Sequence, residues 1–204
     1  MALKYLALGD SYTIGESVPA TDNFPSQAIK MLRNSGFEFD DPLIIAKTGW
    51  TTDELADNIQ RQKPHSKYDL VTLLIGVNNQ YRGRSSNEYQ EEFHQLLKIA
   101  IAFARKDADH VVVLSIPDWG ATPFAEGRNR IQIASEIDEF NRSNKALSIQ
   151  YNCHYIDITQ GTREAAADRS LVASDGLHPS PKDYKRWAEK LVSVYIAEIT
   201  TTHG

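Results

Sequence analysis

Apolar residues along this chain gather in short runs bounded by turn-forming residues: Leu3 to Leu8, Leu43 to Ala46, Leu70 to Ile75, Val111 to Ile116 and Tyr155 to Ile158. Most are rich in β-branched residues, and each predicts a short buried strand. The segments between them change to helical spacing, at Phe24 to Asn34 closed by Gly36, Thr52 to Gln62 stopped by Pro64, Asn87 to Arg105, and Ile131 to Gln150. Pro181 opens a last helix that is expected to bury Trp187, Leu191, Val194 and Tyr195. Thr51 with Glu54, and Ser85 with Glu88, have the spacing of capping boxes and mark two helix starts.

Strand and helix alternate, which implies right-handed βαβ crossovers and a mainly parallel five-stranded sheet covered on both faces. The predicted fold class is therefore α/β, a three-layer α/β/α sandwich. Ligands of such sheets bind beyond the carboxyl ends of the strands. That rule selects the segments Gly9 to Ala20, Lys47 to Trp50, Gly76 to Arg84, Pro117 to Asn129 and Thr159 to His178 as the places to look for chemistry.

Composition narrows the class without changing the fold. The 204 residues carry no repeat, low-complexity tract or linker, so one domain over residues 1–204 is expected. A hydrophobic fraction of 41%, a charged fraction of 24% and a dispersed net charge of -5 are those of a globular protein with no nucleic-acid partner and no stable membrane association. The apolar start, Leu3 to Leu8, is too short and wrongly flanked for a signal peptide, and no apolar run approaches the roughly 20 residues a bilayer requires. The single cysteine, Cys153, has no internal partner. A cytoplasmic location fits these features, although a secreted protein trimmed of its leader would read the same. The sequence does not set an oligomeric state.

Ester hydrolysis by a serine needs a nucleophile, a base, a group orienting that base, and donors for the oxyanion. Ser11 follows the first strand in Gly9-Asp10-Ser11-Tyr12, where a serine can project above a sheet; by itself such a serine is more often a helix cap or turn residue. Asp175-Gly176-Leu177-His178-Pro179 sets a carboxylate and an imidazole three residues apart in a loop. Such a loop can fold the carboxylate onto one ring nitrogen and leave the other free, or Asp175 can simply cap a turn.

Taken together, Gly9-Asp10-Ser11 and Asp175-x-x-His178 resemble the first and last signature blocks of the SGNH hydrolases, also called GDSL esterases and lipases. The family's middle blocks, a glycine after the second strand and a Gly-x-Asn-Asp after the third, have counterparts in Gly49 and in Gly76-Val77-Asn78-Asn79. The resemblance spans nearly the whole chain. It implies the flavodoxin-like SGNH hydrolase fold, with Ser11 as nucleophile, His178 as general base and Asp175 as its orienting acid. The oxyanion hole it implies consists of the Ser11 and Gly49 backbone N–H groups and the Asn78 side-chain amide. Asn79 departs from the family's usual Asp and suggests a different way of pinning that loop; Tyr12 replaces the namesake Leu.

Asp118, directly after the fourth strand, is the rival for the triad acid. Trp50, Tyr81, Trp119 and Phe124 are candidates either for lining an acyl or alcohol pocket or for closing the rim of the core. Arg82, Arg84, Arg128 and Arg130 are candidates for contacting an anionic substrate group or for a solvated surface. The scattered histidines His65, His94, His110, His154 and His203 lack metal-ligand spacing, and the glycine turns lack a nucleotide fingerprint, so no metal and no cofactor are expected. The expected activity is hydrolysis of a small-molecule carboxylic ester, small and soluble or acyl or acetyl in type. The alternatives are a lysophospholipase or thioesterase-type acyl hydrolase, or an inactive carbohydrate- or lipid-binding module on the same fold. No long amphipathic lid is visible between the blocks, which favours a soluble ester.

Overall fold

The computed structural model describes residues 2–65 and 67–199. Its strands are β1 (Tyr5–Asp10), β2 (Leu43–Lys47), β3 (Leu70–Leu74), β4 (Val111–Leu114) and β5 (His154–Ile156). They form a single parallel sheet in the order β2-β1-β3-β4-β5. β1, β3 and β4 are buried throughout, as apolar strands covered on both faces must be.

The long helices are α2 (Phe24–Asn34), α3 (Thr52–Gln62), α5 (Ser86–Phe103), α6 (Arg130–Gln150) and α8 (Pro181–Val194); the short turns α1 (Ser11–Ile14), α4 (Val77–Tyr81) and α7 (Thr159–Arg163) lie beyond strand ends. α2 packs on α8, and α5 packs on both α3 and α6, giving a helical layer on each face of the sheet. Aromatic pairs fill the joints. Trp187 of α8 meets Phe24 of α2 at 6.0 Å, and Tyr89 of α5 stacks on Phe140 of α6 at 4.6 Å. Trp187, Leu191 and Tyr195 are buried as expected, whereas Val194 is only partly covered.

Several boundaries differ from the sequence expectation for identifiable reasons. β1 begins at Tyr5 and continues through Gly9 and Asp10, while Leu3 makes only an isolated bridge with Phe39. Apolar content cannot reveal that extension, because Asp10 is a fully buried carboxyl at the strand's end. β5 stops at Ile156 because the N–H groups of Ile158 and Thr159 turn to the Ser115 hydroxyl, at 2.8 and 3.1 Å, and leave the ladder. α5 ends at Phe103, ahead of Arg105 and Lys106 at φ 57° and 66°. At the start of α3 the Glu54 carboxylate accepts from the Thr51 N–H at 2.9 Å, as a capping box requires. Ser85 caps the Glu88 N–H at 3.2 Å, but the Glu88 carboxylate lies 3.8 Å from Arg84.

The order of strands reverses direction between β1 and β3, the place where doubly wound sheets open a crevice. β1 leads into Ser11 there, β3 leads into Gly76 to Asn78, and the neighbouring β2 leads into Gly49.

Candidate active site

Ser11 owes its position to a sharp exit from β1. A Cβ on Gly9 would lie 2.0 Å from Thr13 Oγ1 and 2.5 Å from the Leu74 carbonyl oxygen, so only glycine lets α1 fold back so closely on the sheet. Asp10 caps that turn, its carboxylate accepting from the Tyr12 N–H at 3.0 Å. Ser11 opens α1, and its N–H has no helical carbonyl behind it to bond.

The far end of the chain supplies the partner. Asp175 Oδ1 accepts from the N–H groups of Leu177 and His178, at 2.9 and 3.0 Å, and so curls the loop ahead of α8 into a compact turn. Its Oδ2 lies 2.6 Å from His178 Nδ1, and His178 Nε2 lies 2.9 Å from Ser11 Oγ. Burial pushes the Asp175 carboxyl up, but the His178 ring, the two backbone N–H groups and the Ser17 hydroxyl outweigh it and hold the acid at about 2. The carboxylate is therefore ionised at neutral pH. Its hydrogen bond also fixes the tautomer in which Nδ1 carries the proton and Nε2 is free to accept one.

Asp118, the rival acid, has other partners. It caps the Gly120 N–H at 2.9 Å and pairs with Arg163 Nε at 2.8 Å. Its carboxylate is thus spent on the loop after β4 and on Arg163 of α7.

Gly49 adopts φ +83°, a left-handed conformation that glycine favours, and its carbonyl is held by Arg82 at 2.7 Å. The Asn78 amide nitrogen lies 3.0 Å from the Trp50 carbonyl and 3.4 Å from Asp10 Oδ2. Asn79, beside it, is fully buried and bonds both the N–H and the hydroxyl of Thr52, at 3.1 and 2.6 Å, with its amide 3.4 Å from the Glu92 carboxylate. That is how the loop is pinned without the family's usual acid. The Thr52 hydroxyl itself bonds Glu92, so an acid at position 79 would face a second, partly buried carboxylate.

Ser11, Gly49, Asn78 and His178 line one cleft of about 160 Å³. Tyr81, Trp119 and Phe124 form its aromatic wall, with ring centroids 5.2 to 6.2 Å apart and Trp119 anchored to Gln80 at 2.7 Å. Trp50 is not part of the lining; it packs partly buried against the core. The rim arginines are largely committed to the protein. Arg84 pairs with Asp53 at 2.8 Å, and Arg130 donates to the Thr122 carbonyl at 3.0 Å.

Two groups at the site have roles that the sequence does not reveal, Asp10 within the first block and Ser17 beyond it. Burial pushes the Asp10 carboxyl up to about 7 despite bonds from backbone N–H groups and Asn78. Ser17 donates to Asp175 from a turn whose sequence, Gly-Glu-Ser, reads only as a turn. Cys153 is buried and its thiol is pushed up to about 12, which removes it as a nucleophile. Among the described residues no group of three or more His, Cys, Asp or Glu gathers to hold a metal ion, and no helix is long and apolar enough to cross a membrane.

A hydroxyl, an imidazole and a carboxylate in one hydrogen-bonded line, beside neutral N–H donors, can move a proton off the hydroxyl and hold a nearby developing oxyanion. Comparisons with known proteins bear on the family and the fold. The model of the GDSL-like lipase/acylhydrolase family matches residues 7–186. A member of the lipolytic protein G-D-S-L family from Veillonella parvula superposes with a TM-score of 0.73 at 20% identity, over 96% of this chain and 100% of that one. The lipase/acylhydrolase from Enterococcus faecalis gives 0.70 at 19% identity, covering 95% of each chain. The acetylxylan esterase Axe2 from Geobacillus stearothermophilus gives 0.70 at 18%, over 97% of this chain and 94% of that one. No curated protein matches the sequence.

Proposed function

The chain belongs to the GDSL-like lipase/acylhydrolase family, and from that premise we propose that it is a serine esterase acting on small carboxylic esters through an acyl-enzyme on Ser11. The observation that carries this reading is the line Ser11 Oγ to His178 Nε2 at 2.9 Å and His178 Nδ1 to Asp175 Oδ2 at 2.6 Å. Ser11 Oγ attacks the ester carbonyl while His178 Nε2 takes its proton, and the anionic Asp175 supports the imidazolium that results. The N–H groups of Ser11 and Gly49 and the Asn78 amide receive the oxyanion. These donors are neutral, so they stabilise charge in the transition state without forming a lasting ion pair in the resting enzyme. Collapse of the intermediate expels the alcohol, which takes the proton back from His178. A water activated by the same nitrogen then releases the acid and restores Ser11.

The size and walls of the cleft support a short acyl or acetyl group. The cleft is small, at about 160 Å³, and its aromatic wall offers an apolar face to a compact substituent. Two fold neighbours are described as acetylxylan esterases, which supports including acetylated sugars among the candidates. The deciding experiment is a panel of p-nitrophenyl esters of increasing chain length beside acetylated sugars, lysolipids and acyl thioesters. Highest kcat/KM at acetyl to butyryl is expected. A maximum at long acyl chains or thioesters would turn the reading to a lysophospholipase or thioesterase, and no turnover of any member would turn it to a binding module.

A further inference from the structure

We propose that Ser17 is a positioning residue of this active site, its hydroxyl holding the Asp175 carboxylate in register with the His178 ring. Ser17 Oγ donates to Asp175 Oδ2 at 2.8 Å, the same oxygen that faces His178 Nδ1 at 2.6 Å. The contact joins residues 158 positions apart in the chain. Oδ1 is held by two backbone N–H groups, and the Ser17 hydroxyl gives Oδ2 a second anchor beside the imidazole.

The turn that carries Ser17 hangs from the nucleophile. The Ser11 carbonyl accepts from the N–H groups of both Gly15 and Glu16, at 3.1 and 3.0 Å. Gly15 turns left-handed at φ 77°, where a Cβ would strike Asn23 Cβ at 2.5 Å. Ser17 is itself left-handed, at φ 64°, a conformation that a non-glycine residue holds only at a cost. Glycine would suit that backbone better. A left-handed non-glycine residue is a pointer to function, and the hydroxyl of this one bonds the candidate triad acid. Next to it, the Glu16 carboxylate accepts from the Thr48 hydroxyl, on the loop that brings Gly49 to the cleft. One turn thus ties the nucleophile, the acid that orients the base, and the oxyanion loop together.

This inference rests on the esterase reading, and the variants are chosen to separate the two. Ser17→Ala and Ser17→Gly both remove the hydroxyl, but glycine relieves the backbone strain that alanine keeps. Ser17→Thr keeps the hydroxyl and adds strain through its branched Cβ. On the best p-nitrophenyl ester, Ala and Gly are expected to lower kcat by about tenfold with KM nearly unchanged, the scale of one lost hydrogen bond to a charged group. Thr is expected to keep most of kcat. Thermal stability should run the other way, with Gly above Ala and Thr the lowest. A turn with a purely structural role predicts that kcat follows stability; wild-type kcat in Ser17→Gly therefore overturns the proposal. Ser11→Ala is the control. If it is inactive while Ser17→Gly is fully active, only the role of Ser17 falls; if Ser11→Ala keeps turnover, the esterase reading falls and this one with it.

Discussion

Each residue of the site has a task set by the partners it keeps. Asn78 lines the cleft with Ser11 and is the proposed side-chain donor to the oxyanion, a role that acts mainly in the transition state. Asn78→Ala is therefore expected to lower kcat by roughly 10²-fold, about 3 kcal/mol, with little change in KM; steady-state kinetics check this, and an unchanged kcat removes Asn78 from the mechanism. Asp175 and Asp118 are the two carboxylates between which the sequence left a choice, and their partners separate them. Asp175 faces the imidazole, whereas Asp118 faces Arg163 and Gly120. Asp175→Asn removes the charge that supports imidazolium and can present the wrong tautomer, so a large loss of kcat is expected, together with a shift of the acid limb of the pH–rate profile to lower pH. Asp118→Asn should leave that limb in place. The reverse pattern in kcat/KM against pH would make Asp118 the partner.

Elements bring these residues together, and some of their joints were readable in the sequence while others were not. Runs such as Leu70 to Ile75 and Val111 to Ile116 announce the buried strands because burial on both faces favours apolar residues; Thr72, the polar residue within β3, is bonded by Tyr5. Polar groups that serve a strand end, Asp10 above all, are invisible to such a pattern. The ordered blocks point to Ser11, Gly49, Asn78, Asp175 and His178; Ser11, Gly49, Asn78 and His178 line one cleft, and Asp175 reaches it through His178. Ser17 was not, since its partner is distant in the chain. The substitution at position 79 was visible but its reason was not, because the reason lies on another helix: Glu92 of α5 already supplies a carboxylate to Thr52 and Asn79. Asn79→Asp should thus destabilise the junction of α3, α4 and α5, by about 3 kcal/mol if the added charge stays ionised. Adding Glu92→Gln should recover most of that loss. Thermal melts of the single and double variants check the coupling; additive losses would refute it.

The whole molecule carries opposed pH dependences. Asp175 lies at about 2 in the fold, below its ordinary value, so its contribution to stability is present above about pH 4 and is lost as pH falls toward 2. Asp10 is the opposite case. Its carboxyl is raised to about 7, so the folded chain holds a proton that the unfolded chain releases near 4, and stability drains away as pH rises between these values. Asp10→Asn should consequently gain in melting temperature relative to wild type as pH goes from 5 to 8, even if the altered partner of Asn78 reduces activity. A constant difference across that range would mean that Asp10 is not buried as a proton-holding acid.

The central claim is that Ser11, activated by His178, forms the covalent intermediate. It is tested most directly by treating the protein with a fluorophosphonate ester and measuring the intact mass, followed by peptide mapping. A single phosphonyl adduct on Ser11 is expected, forming far more slowly in His178→Ala and not at all in Ser11→Ala. An adduct on another residue, or labelling of Ser11 at an undiminished rate without His178, would contradict the account.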